Sequence, residues 1–206
     1  MRGPDKAADH APARPPAQSI LQRKFALTGC AGALMRQRFV LDHALAYTLA
    51  AEQPDHGDAI ERVLDRAFGP GRFAKSSQRV REVAAFEPAL SRVALDQDGR
   101  PVGVCRIWRV SAGAPAFFLG PLAVDPACQA VGLGLTMTRA AIVACREIGG
   151  GAVLAVGAER FFRPFGFDVV PFGRLAMPGP YDAERLLWLE LQPSALDALA
   201  GQIGAP

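Results

Sequence analysis

A short glycine-bearing loop, residues 129–135 (Gln-Ala-Val-Gly-Leu-Gly-Leu), has the residue types and spacing of an anion site. It follows an apolar predicted strand and precedes a predicted helix. Loop amides and the unpaired N–H groups of the first helical turn can therefore converge on one ligand, and the helix dipole adds partial positive charge. A side chain at Gly132 or Gly134 would keep a phosphate away from the backbone. Thr136 adds a hydroxyl donor, so the pattern predicts a phosphate-binding site without a lysine.

Several other chemistries are excluded or restricted by residues that the sequence lacks. The histidines are His10, His43 and His56, so a Ser-His-Asp or Cys-His arrangement in the body of the chain would have to use His43 or His56. Gly-Lys-Ser/Thr, the core of a Walker phosphate loop, does not occur, and a Schiff-base lysine in the body of the chain could only be Lys75. The four cysteines form no Cys-x-x-Cys pair, which argues against a zinc site and favours core thiols in a reducing cytoplasm.

Individual polar residues near the loop each have a functional and a simpler interpretation. Cys128 is either a reactive thiol or a small loop residue. Glu159 is either a catalytic base or a solvated acid at a helix start. Arg72 and Lys75 either steer an anionic ligand or lie in a solvated loop. Gly132 and Gly134 themselves could form nothing more than a tight turn into the helix.

Composition predicts one globular domain preceded by an extension. Half of the 206 residues are hydrophobic and 21% are charged, which excludes disorder throughout. Residues 1–45 carry seven basic and three acidic side chains, whereas residues 46–206 carry sixteen and seventeen. We therefore expect a flexible extension over residues 1–45, disordered in part, and a neutral domain over residues 46–206. A neutral domain argues against nucleic-acid binding.

Neither a membrane span nor a secretory signal is predicted. The longest uncharged run, residues 110–124, contains two glycines and two prolines and is too short to cross a bilayer. No apolar segment follows the first charges of the chain, so we expect a cytoplasmic protein with no membrane partner. Met35 is a second candidate start site.

The elements that must position the loop alternate between strand and helix patterns. Asp58 is the predicted N-cap of a helix ending at Phe68, with Glu61 completing a capping box. A second helix is predicted over residues 76–86. The predicted strands cover residues 47–52, 92–95, 101–110, 116–124, 152–156 and 186–191, and a helix runs from the loop to residue 148. The order indicates a mixed α and β domain.

Which phosphate ligand fits the loop depends on its glycine spacing. A dinucleotide fingerprint needs a third glycine, where this chain has Met137, and it sits on the first strand of its sheet. The pattern Gln129-x-x-Gly132-x-Gly134 after an apolar strand instead resembles the acetyl-CoA loop of the GCN5-related N-acetyltransferase (GNAT) superfamily. A nucleotide-binding oxidoreductase remains the alternative.

Three further segments strengthen the resemblance, which covers about residues 46–192. The aromatic-Gly-Phe ending of the superfamily's helix after its fifth strand is similar to Phe165-Gly166-Phe167. Residues 68–75 and Pro178-Gly179-Pro180 are similar to the YhbS-like bacterial subgroup.

The resemblance implies an α/β (α+β) domain with a single GNAT-like acyl-CoA N-acyltransferase fold, in which helices flank a mixed central sheet. It implies acetyl-CoA as co-substrate, no metal, and a small-molecule or peptide amine as acceptor, and it leaves a homodimer open. The residues it assigns to acetyl-CoA binding are Leu122, Ala123, Val124, Gln129, Ala130, Val131, Gly132, Leu133, Gly134, Leu135, Thr136 and Phe162. A backbone N–H near residues 122–124 would face the thioester carbonyl.

The sequence departs from the family at one chemically important place. Many relatives carry a tyrosine before the aromatic-Gly-Phe ending, where its hydroxyl protonates the leaving thiolate. This chain has Phe161-Phe162 there. Phenylalanine keeps the packing and lacks the proton donor, so no catalytic residue is assigned. A domain of the same fold that binds acyl-CoA as a sensor or interaction module is the alternative function.

Overall fold

The computed structural model describes residues 37–42, 45–129 and 132–206. The strands are β1 (Gln37–Asp42), β2 (Leu45–Ala51), β3 (Ala85–Phe86), β4 (Arg92–Leu95), β5 (Pro101–Ser111), β6 (Pro115–Val124), β7 (Ala152–Val156), β8 (Asp168–Val169), β9 (Leu175–Ala176), β10 (Leu186–Glu190) and β11 (Gly201–Gln202). The α-helices are α1 (Gly57–Phe68), α2 (Ser76–Val83), α3 (Leu133–Glu147) and α4 (Glu159–Phe162). Short 3-10 turns occupy Pro54–His56, Pro70–Ala74, Pro126–Cys128, Arg163–Phe165 and Ala183–Arg185.

Nine of the described strands form one sheet in the order β1-β2-β4-β5-β6-β7-β10-β8, with β3 paired to β5 at one end. Neighbours in this order are antiparallel except β6 and β7, which run parallel. The parallel pair is joined through α3, as a crossover connection requires. The mixed sheet with flanking helices confirms the predicted fold class.

Helices α1 and α3 cover opposite faces of this sheet. The buried side chains of α1, spaced three and four residues apart, pack on Val93 of β4 and Val104 of β5. Those of α3 pack on Cys105 and Ile107, which alternate with Val104 along β5 and therefore point to the other face. Each fully buried aliphatic side chain contributes about 1.5–3 kcal/mol, so both helices are held firmly against the strands that bear the site.

Two predicted helix boundaries are wrong. Helix α1 begins at Gly57 with His56 as its N-cap, and Asp58 lies inside the first turn without capping it. The expected partner, Glu61, instead accepts hydrogen bonds from Arg72 and Arg106. Helix α2 ends at Val83, and the next residues form β3 because they pair with β5. In both places a tertiary contact overrides the local pattern.

Strand β1 pairs antiparallel with β2 and forms the edge of the sheet. The sheet thus includes residues 37–42, which composition and charge predict to belong to the extension of residues 1–45. Residues 1–36 lie outside the described part of the chain, and the flexibility expected of them stays a prediction. No helix in the described ranges is both long enough and apolar enough to cross a bilayer.

A chain that starts at Met35 should keep the melting temperature and the CoA affinity of the full protein, because it retains all of β1. Deletion of residues 1–45 should lower the melting temperature, since it exposes the edge of β2. Differential scanning calorimetry and a CoA titration of both shortened chains test this. A large loss in the chain that starts at Met35 would show that residues 1–34 contribute to the domain.

Candidate functional site

The main sheet opens between β6 and β7. The pairing of these parallel strands ends at Leu119, whose partner is Ala155. Strand β6 continues through residues 120–124, whereas β7 ends at Val156 and the chain turns into α4. Within the described part of the chain, this edge of β6 has no neighbouring strand. An extended ligand with amide groups can pair with such an edge as an added strand.

Backbone groups of Leu122 and Val124 face this open edge. The N–H of Asp125 donates to a β5 carbonyl at 2.8 Å, so Ala123, two residues earlier, also directs its backbone groups toward β5. In an antiparallel ladder the intervening residues point the other way. Leu122 and Val124 therefore offer an N–H donor and a carbonyl acceptor to an extended ligand.

A bulge in β6 lies at the start of the opening. Gly120 and Pro121 stand together opposite the single residue Arg106 of β5. Gly120 has φ +141°, a conformation that favours glycine, and its carbonyl accepts a hydrogen bond from Trp108 Nε1 at 2.6 Å. A bulge bends its strand, and this one bends β6 just where its pairing with β7 ends.

The glycine-bearing loop leads into the N-terminus of α3 beside this edge. Gly132, the N-cap, has φ +79°. The first N–H that donates within the helix is that of Thr136, to the Gly132 carbonyl at 3.0 Å, so the preceding N–H groups of α3 have no acceptor inside the helix. Among the described atoms outside the adjoining residues and the helix backbone, a Cβ built on Gly132 would meet none within 4 Å, and one built on Gly134 none closer than 3.8 Å. Both glycines are thus open on their Cβ side, and an anion can approach the first turn of α3 there.

The side chains of Gln129 and Thr136 are turned toward the protein. Gln129 Nε2 donates to the Val124 carbonyl at 3.4 Å, across the end of the open edge. The Thr136 hydroxyl donates to the Gly132 carbonyl at 3.0 Å, so its proton serves the helix in this arrangement. Ala130 and Val131 lie outside the described residues.

Three other predicted site residues differ in burial. Ala123 packs on the α1 face of the sheet, and Leu133 packs into the core beneath α3. The backbone N–H of Leu133 can still reach a ligand, whereas the backbone groups of Ala123 pair with β5. Leu135, by contrast, is exposed on the first turn of α3.

Phe161 and Phe162 occupy different environments. The Phe162 side chain is 5% exposed, packs on Phe167, and lies so close to Gly157 that an added Cβ there would be 2.5 Å away. Phe162 therefore lies beside the chain that leaves β7, buried in the core. Phe161 is half-buried, and its ring lies 3.8 Å from a Cβ built on Gly134. The two rings meet edge to face, with centroids 4.9 Å apart.

The sequence model of the acetyltransferase (GNAT) family matches residues 58–167, which contain all of α1 except Gly57, the open edge, the loop and both phenylalanines. The chain belongs to the GNAT family. A search of curated protein sequences found no match.

Solved GNAT structures share this fold. YhbS from Escherichia coli in complex with CoA is 24% identical, with a TM-score of 0.66 over 79% of this chain and 91% of that one. A GNAT family acetyltransferase from Brucella melitensis in complex with acetyl-CoA is 23% identical, with a TM-score of 0.54 over 71% and 89%. The ribosomal-protein-S18-alanine N-acetyltransferase from Escherichia coli is 17% identical, with a TM-score of 0.51 over 71% and 94%.

Other candidate residues of this GNAT domain have structural partners. Glu159 pairs with Arg163 one turn later on the surface. The Lys75 ammonium lies 4.8 Å from the centre of the Phe68 ring. Cys128 is half-buried at the end of its 3-10 turn. The described ranges contain no group of three or more His, Cys, Asp or Glu side chains that could hold a metal.

The two cysteines of the core are poor nucleophiles. Cys105 and Cys145 are buried, and burial raises the pKa of the Cys145 thiol to about 12. Burial also raises the pKa of the Cys105 thiol well above its usual range. Because the thiolate is the reactive form, both act as packing residues.

Sequence reasoning missed an ion-pair network on the α1 face of the GNAT sheet, beside the bulge. Arg106 binds Glu52 through Nη2 at 2.8 Å and Glu61 through Nη1 at 3.1 Å. Arg72 binds the other oxygen of Glu61 at 2.7 Å and Asp65 at 3.0 Å. The available signal was an arginine inside the otherwise apolar first half of β5, since such a side chain needs a carboxylate partner when buried.

The network keeps Glu61 ionised. Burial raises the pKa of its carboxyl, but hydrogen bonds from Arg72 and Arg106 outweigh burial, so the pKa lies below its usual value. A carboxylate held in this way is a weak base.

Proposed function

We propose that this domain transfers the acetyl group of acetyl-CoA directly to a primary amine. The observation that carries the proposal is the open edge of β6 lying next to the N-terminus of α3. A pantetheine arm has amides that can pair along such an edge, and a pyrophosphate suits the helix N-terminus. The family, and the CoA and acetyl-CoA complexes named for two structural relatives, support the same substrate.

Different backbone groups would bind different parts of acetyl-CoA. The N–H groups of Leu133, Gly134 and Leu135 would bind the pyrophosphate. The backbone of Leu122 and Val124 would hold the pantetheine arm, and one of their N–H groups would donate to the thioester carbonyl. Acetyl-CoA supplies an activated acyl group, and a fixed donor at that oxygen stabilises the charge that develops there. Direct transfer needs no nucleophilic side chain.

The alternative is a domain that binds acyl-CoA as a sensor without transferring the acetyl group. Phe161 and Phe162 favour it, because many relatives carry a tyrosine before the aromatic-Gly-Phe ending, and its hydroxyl protonates the thiolate. A general acid contributes about 10²–10⁴-fold to a rate. Water at the opening would have to supply the proton to the leaving thiolate in its place.

Phe162→Tyr should raise the rate of acetyl transfer at saturating acetyl-CoA by about tenfold or more, because it restores a proton donor beside the thiolate. Phe161→Tyr adds the same oxygen to the neighbouring ring and is the matched control. If the Phe162→Tyr hydroxyl is instead buried without a partner, the protein should lose about 1–3 kcal/mol of stability. That loss, seen in urea unfolding without a faster reaction, would show that the ring does not face the thiolate.

The pH dependence of the reaction should be set by the pKa of the acceptor's ammonium group. Since Glu52 and Glu61 are paired with arginine, we expect the amine to reach the site already neutral. The neutral fraction rises about tenfold for each pH unit below the pKa of the ammonium group. kcat/KM measured with two amines of different pKa should therefore level off at two different pH values. A common plateau near neutral pH for both amines would instead indicate a protein base.

Two measurements test the proposed function. Thermal-shift titrations with acetyl-CoA, CoA and NAD should show stabilisation by the first two ligands alone, which separates the acetyltransferase from a nucleotide-binding oxidoreductase. A screen of small amines, peptides and proteins, followed by detection of free thiol, should show turnover with at least one class. Binding of CoA without turnover in any class would favour the sensor.

A further inference from the structure

Arg81 on α2 is a partly buried cation whose partner is uncharged. Its Nη2 and Nε donate to the Gln78 side-chain oxygen at 2.8 and 3.3 Å. Among the described side chains, no carboxylate lies within ion-pair distance of Arg81. Val80, the preceding residue, is fully buried and fixes α2 on the core. The guanidinium is therefore held in place with no anion against it.

The other two arginines nearby are already neutralised. Arg72 and Arg106 share Glu52, Glu61 and Asp65 in the network described above. Burial, together with repulsion from Arg106 and Arg72, lowers the pKa of Arg81 to about 10, even though Glu82 and Glu61 act in the opposite direction. Arg81 remains charged at neutral pH. An anion placed against it would relieve both the desolvation and the repulsion.

Arg72, Arg81 and Arg106 form an arginine cluster, and the position of Arg106 relates this cluster to the acceptor. Arg106 stands opposite the β6 bulge, on the face of the sheet covered by α1. An aromatic wall continues on that face, where Arg106 lies 5.5 Å from the centre of the Phe86 ring and Phe86 lies 4.9 Å from Trp108. Trp108 Nε1 donates a hydrogen bond to the Gly120 carbonyl within the bulge. Because α3 packs on the opposite face, an amine that reaches the bulge from the side of α2 would not compete with CoA for space.

We propose that Arg81 binds an acidic group of the acceptor, so that the acceptor is an amine that also carries a carboxylate or a phosphate. This inference rests on the proposed acetyl transfer and narrows its substrate. The planar guanidinium can give two parallel hydrogen bonds to either oxyanion. Arg106 and Arg72 are occupied by their own carboxylates and therefore do not compete for the ligand.

Matched amine pairs test the proposal. 4-Aminobutyrate is compared with 4-aminobutanamide, and phosphoethanolamine with ethanolamine. For each amine we measure kcat/KM, calculated from the concentration of its neutral form, and calorimetric binding to the CoA-saturated protein. The acidic member of at least one pair should be preferred by about tenfold or more, and Arg81→Gln should abolish the preference. Arg81→Lys should keep part of it, and urea unfolding verifies that both variants fold. The pair that shows the preference tells carboxylate from phosphate.

Arg146→Gln is the matched control, because it removes the same charge from an exposed position on α3. Equal behaviour within both pairs, including undetectable binding of all four amines, would overturn the proposal. Equal loss of preference in Arg81→Gln and Arg146→Gln would also overturn it, since total charge would then explain the effect. Preferential binding of the acidic member without any thiol release would support the anion site and contradict the proposed acetyl transfer instead.

Discussion

Gly134→Asp should weaken CoA binding by at least about tenfold, or about 1.4 kcal/mol. The new carboxylate would occupy the space over the first turn of α3 and repel phosphate oxygens there. Folding should be unaffected, because a Cβ at this position meets nothing closer than 3.8 Å and an acidic residue near a helix N-terminus is favourable. The helix dipole thus favours the aspartate in the folded protein, while the charge of the aspartate weakens CoA binding.

Isothermal titration with CoA measures the effect, and two variants separate its causes. Gly134→Asn has nearly the size of aspartate without the charge, and Gly134→Ala adds the Cβ alone. We expect affinity to fall in the order Ala, Asn, Asp. An unchanged dissociation constant for Gly134→Asp would remove the loop from the binding site.

Arg106→Met should destabilise the domain by about 3–5 kcal/mol, because it leaves Glu52 as a buried carboxylate without its partner. Glu52 is 7% exposed and receives three hydrogen-bond contacts from this one guanidinium. Urea unfolding at neutral pH measures the loss. Adding Glu52→Gln to Arg106→Met should recover part of it, since the uncompensated charge is then gone.

Arg66→Met is the matched control for this effect. Arg66 also pairs with a carboxylate, that of Asp125, but half of its side chain is exposed. Exposed pairs contribute about 0–1 kcal/mol, so this variant should remain near wild-type stability. Equal losses for Arg66→Met and Arg106→Met would show that burial of Glu52 does not decide the energetics.

Contiguous segments of this fold were predictable from the sequence. The β4–β5 hairpin and the unit of β6, loop, α3 and β7 follow from apolar runs separated by turn residues, with boundaries shifted by a residue or so. The strand–glycine-loop–helix order is a local pattern, and so is the aromatic ending after β7. These features needed no knowledge of which strands are neighbours.

Features that depend on strand register were not predictable. The opening exists because β6 continues beyond the last residue that pairs with β7. The bulge exists because two residues of β6 lie opposite Arg106. Glu52 and Arg106 are 54 residues apart in sequence and meet through the β2–β4–β5 pairing. Arg81 differs from Arg72 and Arg106 because they are paired with carboxylates and it is not, a difference that exists only in the folded chain. Single-sequence patterns carry none of this information.

Acetyl transfer to an amine nitrogen is tested most directly with acetyl-CoA labelled in the acetyl group. The amine panel is present in excess, and both products are measured in the same reaction. We predict that the free thiol of CoA and the labelled amide appear in equal amounts, and that Gly134→Asp suppresses both. Thiol release without labelled amide, or CoA binding with neither product across the whole panel, would contradict the claim.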